Sequence, residues 1–169
     1  MLSNKLIDVI NDQINFELYS EYLYLSMAAY FESEDLPGFA NFFRVQVQEE
    51  RFHAMRFFDY MIQMDARVRL KPIDGPKVDF DNALQVFEES LVHEKIVTGR
   101  IYNLMNIVQE EKEHATISFL KWFIDEQVEE EDTLKKIISK LKRGDSNPAA
   151  LYMLDGELAA RVFIPPVIN

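Results

Sequence analysis

Four long stretches of the chain place apolar residues at alternating steps of three and four, the spacing of one face of an α-helix. The first stripe reads Leu6, Ile10, Ile14, Glu17, Glu21, Tyr24, Ala28 and Phe31. The second reads Phe39, Phe43, Gln46, Glu50, His53, Phe57, Tyr60 and Met64. The third gives Leu84, Phe87, Leu91, Glu94, Thr98, Ile101, Met105 and Val108, and the fourth Thr116, Leu120, Phe123, Gln127, Glu130, Leu134, Ile137 and Leu141. The pattern predicts helices from about Ser3, a suitable N-cap, to Ser33, then from Pro37 to about Asp65 and from Asp81 to Glu111. A break near Lys112 to Ala115 precedes a fourth helix ending near Gly144. Asn147 and Pro148 make a cap and first-turn pair for a short fifth helix through Ala160, and Pro165 and Pro166 close an irregular tail.

The links set the topology. Pro37 and Gly38 punctuate a short turn, and the third and fourth helices are also closely joined, so each pair is antiparallel. The link from Ala66 to Asp79 contains Pro72, Gly75 and Pro76. Its residues span about 46 Å when extended, and a helix of ~30 residues is ~45 Å long. The link can therefore cross the whole bundle and bring the third helix back parallel to the second. The expected architecture is all-α, a four-helix bundle with one long crossover (residues 1–145) and a short C-terminal helix and tail (residues 146–169).

Every stripe is apolar at its ends and polar in its middle third, and each contributes a glutamate there. Interruptions at mid-helix meet at one level whichever way the helices run. Glu17, Glu50, His53, Glu94, Gln127 and Glu130 are thus expected to face one another inside the bundle. Buried carboxylates are costly unless compensated, and no stripe supplies Lys or Arg at this level. Protonation or water could relieve them; two divalent cations would neutralise four carboxylates outright. Oxygen donors with one imidazole suit Fe(II), Mn(II) or Zn(II), and Glu50-x-x-His53 presents two ligands one turn apart. The same spacing in Glu111 and His114 falls at a helix break and reads as surface. Glu21 reads as an edge residue.

Composition narrows the function classes. A net charge of -11 speaks against a nucleic-acid-binding surface. The absence of cysteine excludes disulfides and thiolate metal sites and suits a reducing cytoplasm. The N-terminus lacks the pattern of a signal peptide. The most apolar stretch, Tyr22 to Phe31, is about half of the ~20 residues a membrane helix needs. On residues alone, a carboxylate-bridged two-metal enzyme, such as a di-iron or di-manganese peroxidase or oxygenase, and a helical interaction protein with a wet polar core both remain open.

Four segments, VINDQINFELYSEYLYLSMAAYF, QEERFHAMRFFDY, VHEKIV and FLKWFIDEQVEEE, together resemble the haem-free ferritins of bacteria and archaea over nearly the whole chain. The resemblance implies a ferritin-like bundle in a homo-oligomeric shell of about 24 subunits. It implies oxidation of Fe(II) by O2 or H2O2 and storage of the product as ferric oxo-hydroxide. One iron would be held by Glu17, Glu50 and His53. The other would be held by Glu94 and Glu130, with Glu50 bridging, Gln127 close by and Tyr24 beside the centre. A third iron site is implied at Glu49, Glu126 and Glu129, with Glu130 shared, although EQVEEED reads equally as a solvated acidic face. Trp122 matches a nearby packing tryptophan. Haem is not expected: Phe52 stands where bacterioferritins carry the haem-ligating methionine, and Met55 is out of register.

Overall fold

The computed structural model describes residues 2–144 and 147–166. It contains α1 (Asn4–Ser33), α2 (Pro37–Gln63), α3 (Ala83–Glu110), α4 (His114–Arg143) and α5 (Pro148–Leu158). Capping explains where the helices begin. Ser3 Oγ accepts from the Leu6 N–H at 3.1 Å, as its position suggests. Asn82 does the same for Gln85 at 2.9 Å, so α3 starts at Ala83 rather than Asp81. Glu113 caps α4 through Thr116, which makes His114 the first residue of that helix, and Asn147 caps α5. The boundary expected between residues 145 and 146 lies outside the described residues.

Three helices stop in the same way. Asp35, Asp65 and Lys112 have φ of 56°, 54° and 55°. The N–H groups that follow, of Leu36, Ala66 and Glu113, donate back to the carbonyls of Phe31, Met61 and Val108 at 3.0, 2.9 and 2.9 Å. This left-handed stop satisfies carbonyls that the helix leaves free.

The interior consists of two apolar clusters. One gathers Leu6 and Ile10 of α1, Phe57 and Met61 of α2, Ile101 and Leu104 of α3, and Leu120 and Phe123 of α4. The other gathers Phe31 of α1, Phe39 and Phe43 of α2, Phe87 of α3 and Leu134 of α4. The first cluster takes the start of α1 and α4 and the end of α2 and α3; the second takes the opposite ends. Hence α1 and α4 run one way and α2 and α3 the other, and the link between α2 and α3 must traverse the bundle. Each large apolar side chain so buried contributes about 1.5–3 kcal/mol, which lets the bundle tolerate a polar layer between the clusters.

The crossover has no helix or strand of its own, so α1 side chains satisfy its backbone. Asn11 Oδ1 accepts from the Arg69 N–H at 2.6 Å, Asn15 Oδ1 from that of Lys71 at 2.7 Å, and Ser26 Oγ donates to the Lys77 carbonyl at 2.7 Å. These anchors lie in chain order along α1 and hold the link extended.

The short α5 docks on the start of α2. Leu36 at the α2 N-cap offers no side-chain acceptor. Asp155 Oδ1 replaces it, accepting from the N–H groups of Gly38 at 2.8 Å and Phe39 at 3.0 Å. A Cβ on residue 38 would lie 1.8 Å from the Asp155 carbonyl oxygen, so only glycine permits this approach. Among the described residues no helix is long and apolar enough to cross a membrane.

Candidate metal centre

Between the two apolar clusters lies the polar layer. Glu17 comes from α1, Gln46, Glu50 and His53 from α2, Glu94 from α3, and Gln127 and Glu130 from α4; all are buried, none more than 5% exposed. The structure thus brings together the six residues expected from the interrupted stripes. Potential ligand atoms of Glu17, Glu50 and His53 lie within 4.8 Å of one another, and so do those of His53, Glu126 and Glu130. His53 belongs to both groups.

Most of the carboxylates have one neutral hydrogen-bond donor. Gln13 Nε2 donates to Glu17 at 2.8 Å, Gln127 Nε2 to Glu94 at 2.9 Å, and Gln46 Nε2 to Glu130 at 3.0 Å. The Tyr24 hydroxyl donates to Glu94 as well. These contacts orient the acids without neutralising them. Glu50 differs: both of its side-chain oxygens, and Oε2 of Glu17, are buried with no hydrogen-bond partner among the described residues. Buried carboxylate oxygens without a donor forfeit their hydration, and either a proton held between Glu50 and Glu17 or a cation would relieve them.

Electrostatics follow from that placement. Burial raises Glu50 well above the usual carboxylate range, and the charges of Glu94, Glu17 and Glu130 raise it further. Burial likewise carries Glu17 to about 7 and Glu94 to about 8. His53 moves the other way, to about 3, through burial and the nearby Arg56 charge. It is therefore a neutral imidazole at physiological pH, the form that binds metals. Arginines approach the layer from outside the core stripes: Arg56 near His53, Arg161 near Glu130 and Arg100 near Glu17. Arg100, off the core stripe of α3, donates to Gln13 Oε1 at 3.0 Å, and Gln13 in turn holds Glu17. The stripes gave no sign of this relay.

Towards the end of the layer beside α5 the arrangement is looser. Glu126 joins His53 and Glu130, whereas Glu129 is exposed. Glu49 Oε2 is held at 2.6 Å by Arg161, from the segment after α5. Trp122 meets the His53 ring edge-on at 5.5 Å, and the Arg56 guanidinium lies 4.0 Å over its ring. Phe52 packs against Trp122 and Phe163. Glu21 is taken up by Arg51 in two contacts of 2.9 Å, and Glu111 and His114 are exposed at the α3–α4 break.

His93 lies off the α3 core stripe. It is buried beside Glu94, with Nε2 2.7 Å from Ser20 Oγ. Ser20 Oγ also lies 3.1 Å from the Phe16 carbonyl, so the hydroxyl links the His93 ring to the α1 backbone. Its ring stacks on Phe16 at 5.3 Å and meets Tyr24 edge-on at 5.8 Å, forming the wall behind that tyrosine.

Comparison with known proteins agrees with this fold. A family model described as a ferritin-like domain matches residues 7–144. The bacterial non-heme ferritin of Staphylococcus aureus (strain USA300) is 44% identical over 163 residues, covering 96% of this chain and 98% of the relative. The corresponding protein of Staphylococcus haemolyticus (strain JCSC1435) is 44% identical over the same length, with the same coverage of both chains. Among solved structures, the open pore ferritin of the archaeon Archaeoglobus fulgidus superposes with a TM-score of 0.95 at 44% identity, covering 96% of this chain and all (100%) of that one. A closed form of the same ferritin, engineered by site-directed mutagenesis, gives 0.96 at 45%, covering 97% of this chain and 100% of that one.

Proposed function

Because the chain belongs to the ferritin family of iron-storage proteins, we propose that its buried carboxylate layer is a ferroxidase centre, binding two ferrous ions as substrate. Glu17, Glu50 and His53 take one ion; Glu94 and Glu130, with Gln127 beside them, take the other. Glu50 stands between the two. The observation that carries this reading is the pair of unpartnered Glu50 oxygens, buried at the level where acids from all four helices meet. Tyr24 and Gln127 fix Glu94, and Gln13 fixes Glu17, so the acids are oriented before iron arrives.

Anionic oxygen ligands stabilise Fe(III) more than Fe(II), because the higher charge gains more from them, and this favours oxidation. Each of two ferrous ions gives one electron. O2 accepts both and, with two protons, forms H2O2; hydrogen peroxide as oxidant would instead be reduced to water. Hydrolysis of the ferric product then yields oxo-hydroxide mineral. Glu49, Glu126 and Glu129, with Glu130 shared, make a third iron site on the route inward.

Mineral must be enclosed, so the reading includes a homo-oligomeric shell of about 24 subunits, in the cytoplasm where Fe(II) is available. Residues 1–145 carry the chemistry and residues 146–169 serve assembly. Exposed apolar side chains support contacts between copies: Tyr22 and Leu25 on α1, Val92 and Ile96 on α3, Tyr152 and Met153 on α5. Haem is no part of this reading.

The test is Fe(II) added anaerobically, followed by air. A ferric absorbance rise and many irons retained per subunit through gel filtration are expected. Retention that stops near two irons would point instead to a di-iron enzyme that stores nothing. No Fe(II)-dependent change at all would overturn the proposal.

A further inference from the structure

The segment after α5 sets a positive charge against the acids proposed to pass iron inward. We propose that Arg161 is a tethered cation that occupies Glu49 and must be displaced before this pocket can take up a metal ion with all of its carboxylates. The inference rests on the third-site reading above and concerns how that site is filled.

Arg161 is held in place from several directions. Asp155 fastens α5 to the start of α2 through Gly38 and Phe39. Asn41 Nδ2 then donates to the carbonyls of Leu158, Ala159 and Arg161, at 3.1, 3.3 and 2.9 Å. The Arg161 guanidinium lies over the Phe42 ring, 4.3 Å from its centre, and donates to Glu49 Oε2 at 2.6 Å. The two side chains are 24% and 20% exposed, so the pair is more sheltered than most surface ion pairs here. The cation–π contact with Phe42 and a short charge-assisted hydrogen bond to Glu49 hold the guanidinium in place.

The consequence lies in the choice Glu49 has made. Ligand atoms of His53, Glu126 and Glu130 converge within 4.8 Å without it. The same guanidinium charge acts on Glu126 and Glu130, opposing the burial that raises both. A divalent ion entering this pocket therefore meets a fixed positive charge and gains Glu49 only by breaking its ion pair. Arg161 raises the metal concentration at which the pocket fills, and the docking of α5 sets how firmly it does so.

Zn(II), which is redox-inert, is a suitable probe: calorimetric titration gives affinities, and anomalous scattering from soaked crystals assigns the sites. In the parent protein Zn(II) is expected first in the paired centre, at Glu17, Glu50 and His53 and at Glu94 and Glu130, and then, as a second uptake at higher concentration, beside Glu49 and Glu126. Arg161→Gln should leave the affinity at Glu17, Glu50 and His53 unchanged and tighten the second by about tenfold, the scale for removing one cation a few ångströms from a divalent ion. Arg161→Lys, which keeps the charge, should stay within about threefold of the parent, well short of that factor. Gly38→Ala, whose Cβ cannot fit against Asp155, should loosen the segment and shift the second affinity in the direction of Arg161→Gln. An unchanged or weaker second affinity in Arg161→Gln, or no uptake there in any variant, overturns the role of Arg161 while leaving the ferroxidase centre standing. Failure of the parent to bind Zn(II) at Glu17, Glu50 and His53 overturns the centre and this inference together.

Discussion

The Nδ1 nitrogen of His53 stands 3.5 Å from Oε2 of Glu50, one turn back along α2, with both side chains almost wholly buried. Burial keeps the imidazole neutral, so no ion pair forms to compensate the carboxylate. Two potential ligands adjoin and neither satisfies the other. Such a site is unfavourable by itself and becomes favourable when a cation joins it, which ties stability and function to the same atoms.

Glu50 tests that link directly. Glu50→Ala is expected to abolish fast Fe(II) oxidation, since both proposed ions lose a ligand; stopped-flow absorbance measures it, and a near-normal initial rate would count against the assignment. Glu50→Gln keeps the shape and removes the charge. In metal-free protein at pH 8 it should raise stability by roughly 1–2 kcal/mol, because an uncompensated buried acid is gone. Denaturant unfolding with and without Zn(II) should show that gain only without metal.

Glu129 should behave differently. It is exposed, and its charge bears on Glu126 and Glu130 rather than on Glu17 or Glu94. Glu129→Ala is expected to leave the first turnover within about twofold of the parent, a difference well below 1 kcal/mol in barrier. Later transfer of iron to the mineral should slow. Loss of the first turnover would mean that Glu129 belongs to the paired site.

How far the sequence could be read differed from helix to helix with the width of the buried face. In α2 the stripe from Phe39 to Tyr60 is buried throughout, and in α4 that from Thr116 to Ile137 is as well. In α3 five of the eight stripe residues are buried. Leu84, Leu91 and Thr98 are partly covered, while Val86, Ser90, His93, Val97 and Leu104 are buried. A second buried face blurs the single period that the stripe assumes, and Ser90 and His93 are too polar to announce it. Arg100 and Arg161 were illegible for another reason. Each acts through a residue distant in sequence, Gln13 or Glu49, and a lone arginine on a helix or tail looks like any solvated charge. The crossover and the left-handed helix stops were legible only in part: proline and glycine marked the first, whereas Asp65 and Lys112 carried no glycine to mark the second.

The raised carboxylates make metal binding depend on pH. Burial first, then neighbouring acids, holds Glu17 near 7 and Glu94 near 8, against a usual value of about 4.5. Their contribution to the stability of the metal-free protein is fully present below about 4.5 and is lost as pH rises through 7 to 8, because the native acids must then ionise in place. His53, held near 3 against a usual 6.5, has the opposite sign: its contribution is present above 6.5 and is lost as pH falls towards 3. A divalent cation reverses the carboxylate cost by binding the ionised form and releasing the protons. The rise in melting temperature on adding Zn(II) should therefore be larger at pH 8 than at pH 5.5, with protons released near neutrality. Equal rises at the two pH values would show that these acids do not hold the metal.

Lys112 offers a change remote from the iron chemistry. Its φ of 55° lies in the left-handed region, which costs an L-residue with a Cβ about 1–2 kcal/mol, and the stop depends on it because the Glu113 N–H must reach the Val108 carbonyl. The side chain is exposed, so little packing is at stake. Lys112→Gly removes the backbone strain and adds freedom to the unfolded chain, two opposed effects of which the first is larger at this position; a net gain of about 0.5–1 kcal/mol is expected. Lys112→Val, β-branched and poorly suited to positive φ, should lose at least about 1 kcal/mol. Denaturant unfolding of metal-free protein measures both, and initial Fe(II) oxidation should match the parent in each. If glycine failed to stabilise while valine was tolerated, the helix stop would not be imposing the strain its geometry implies.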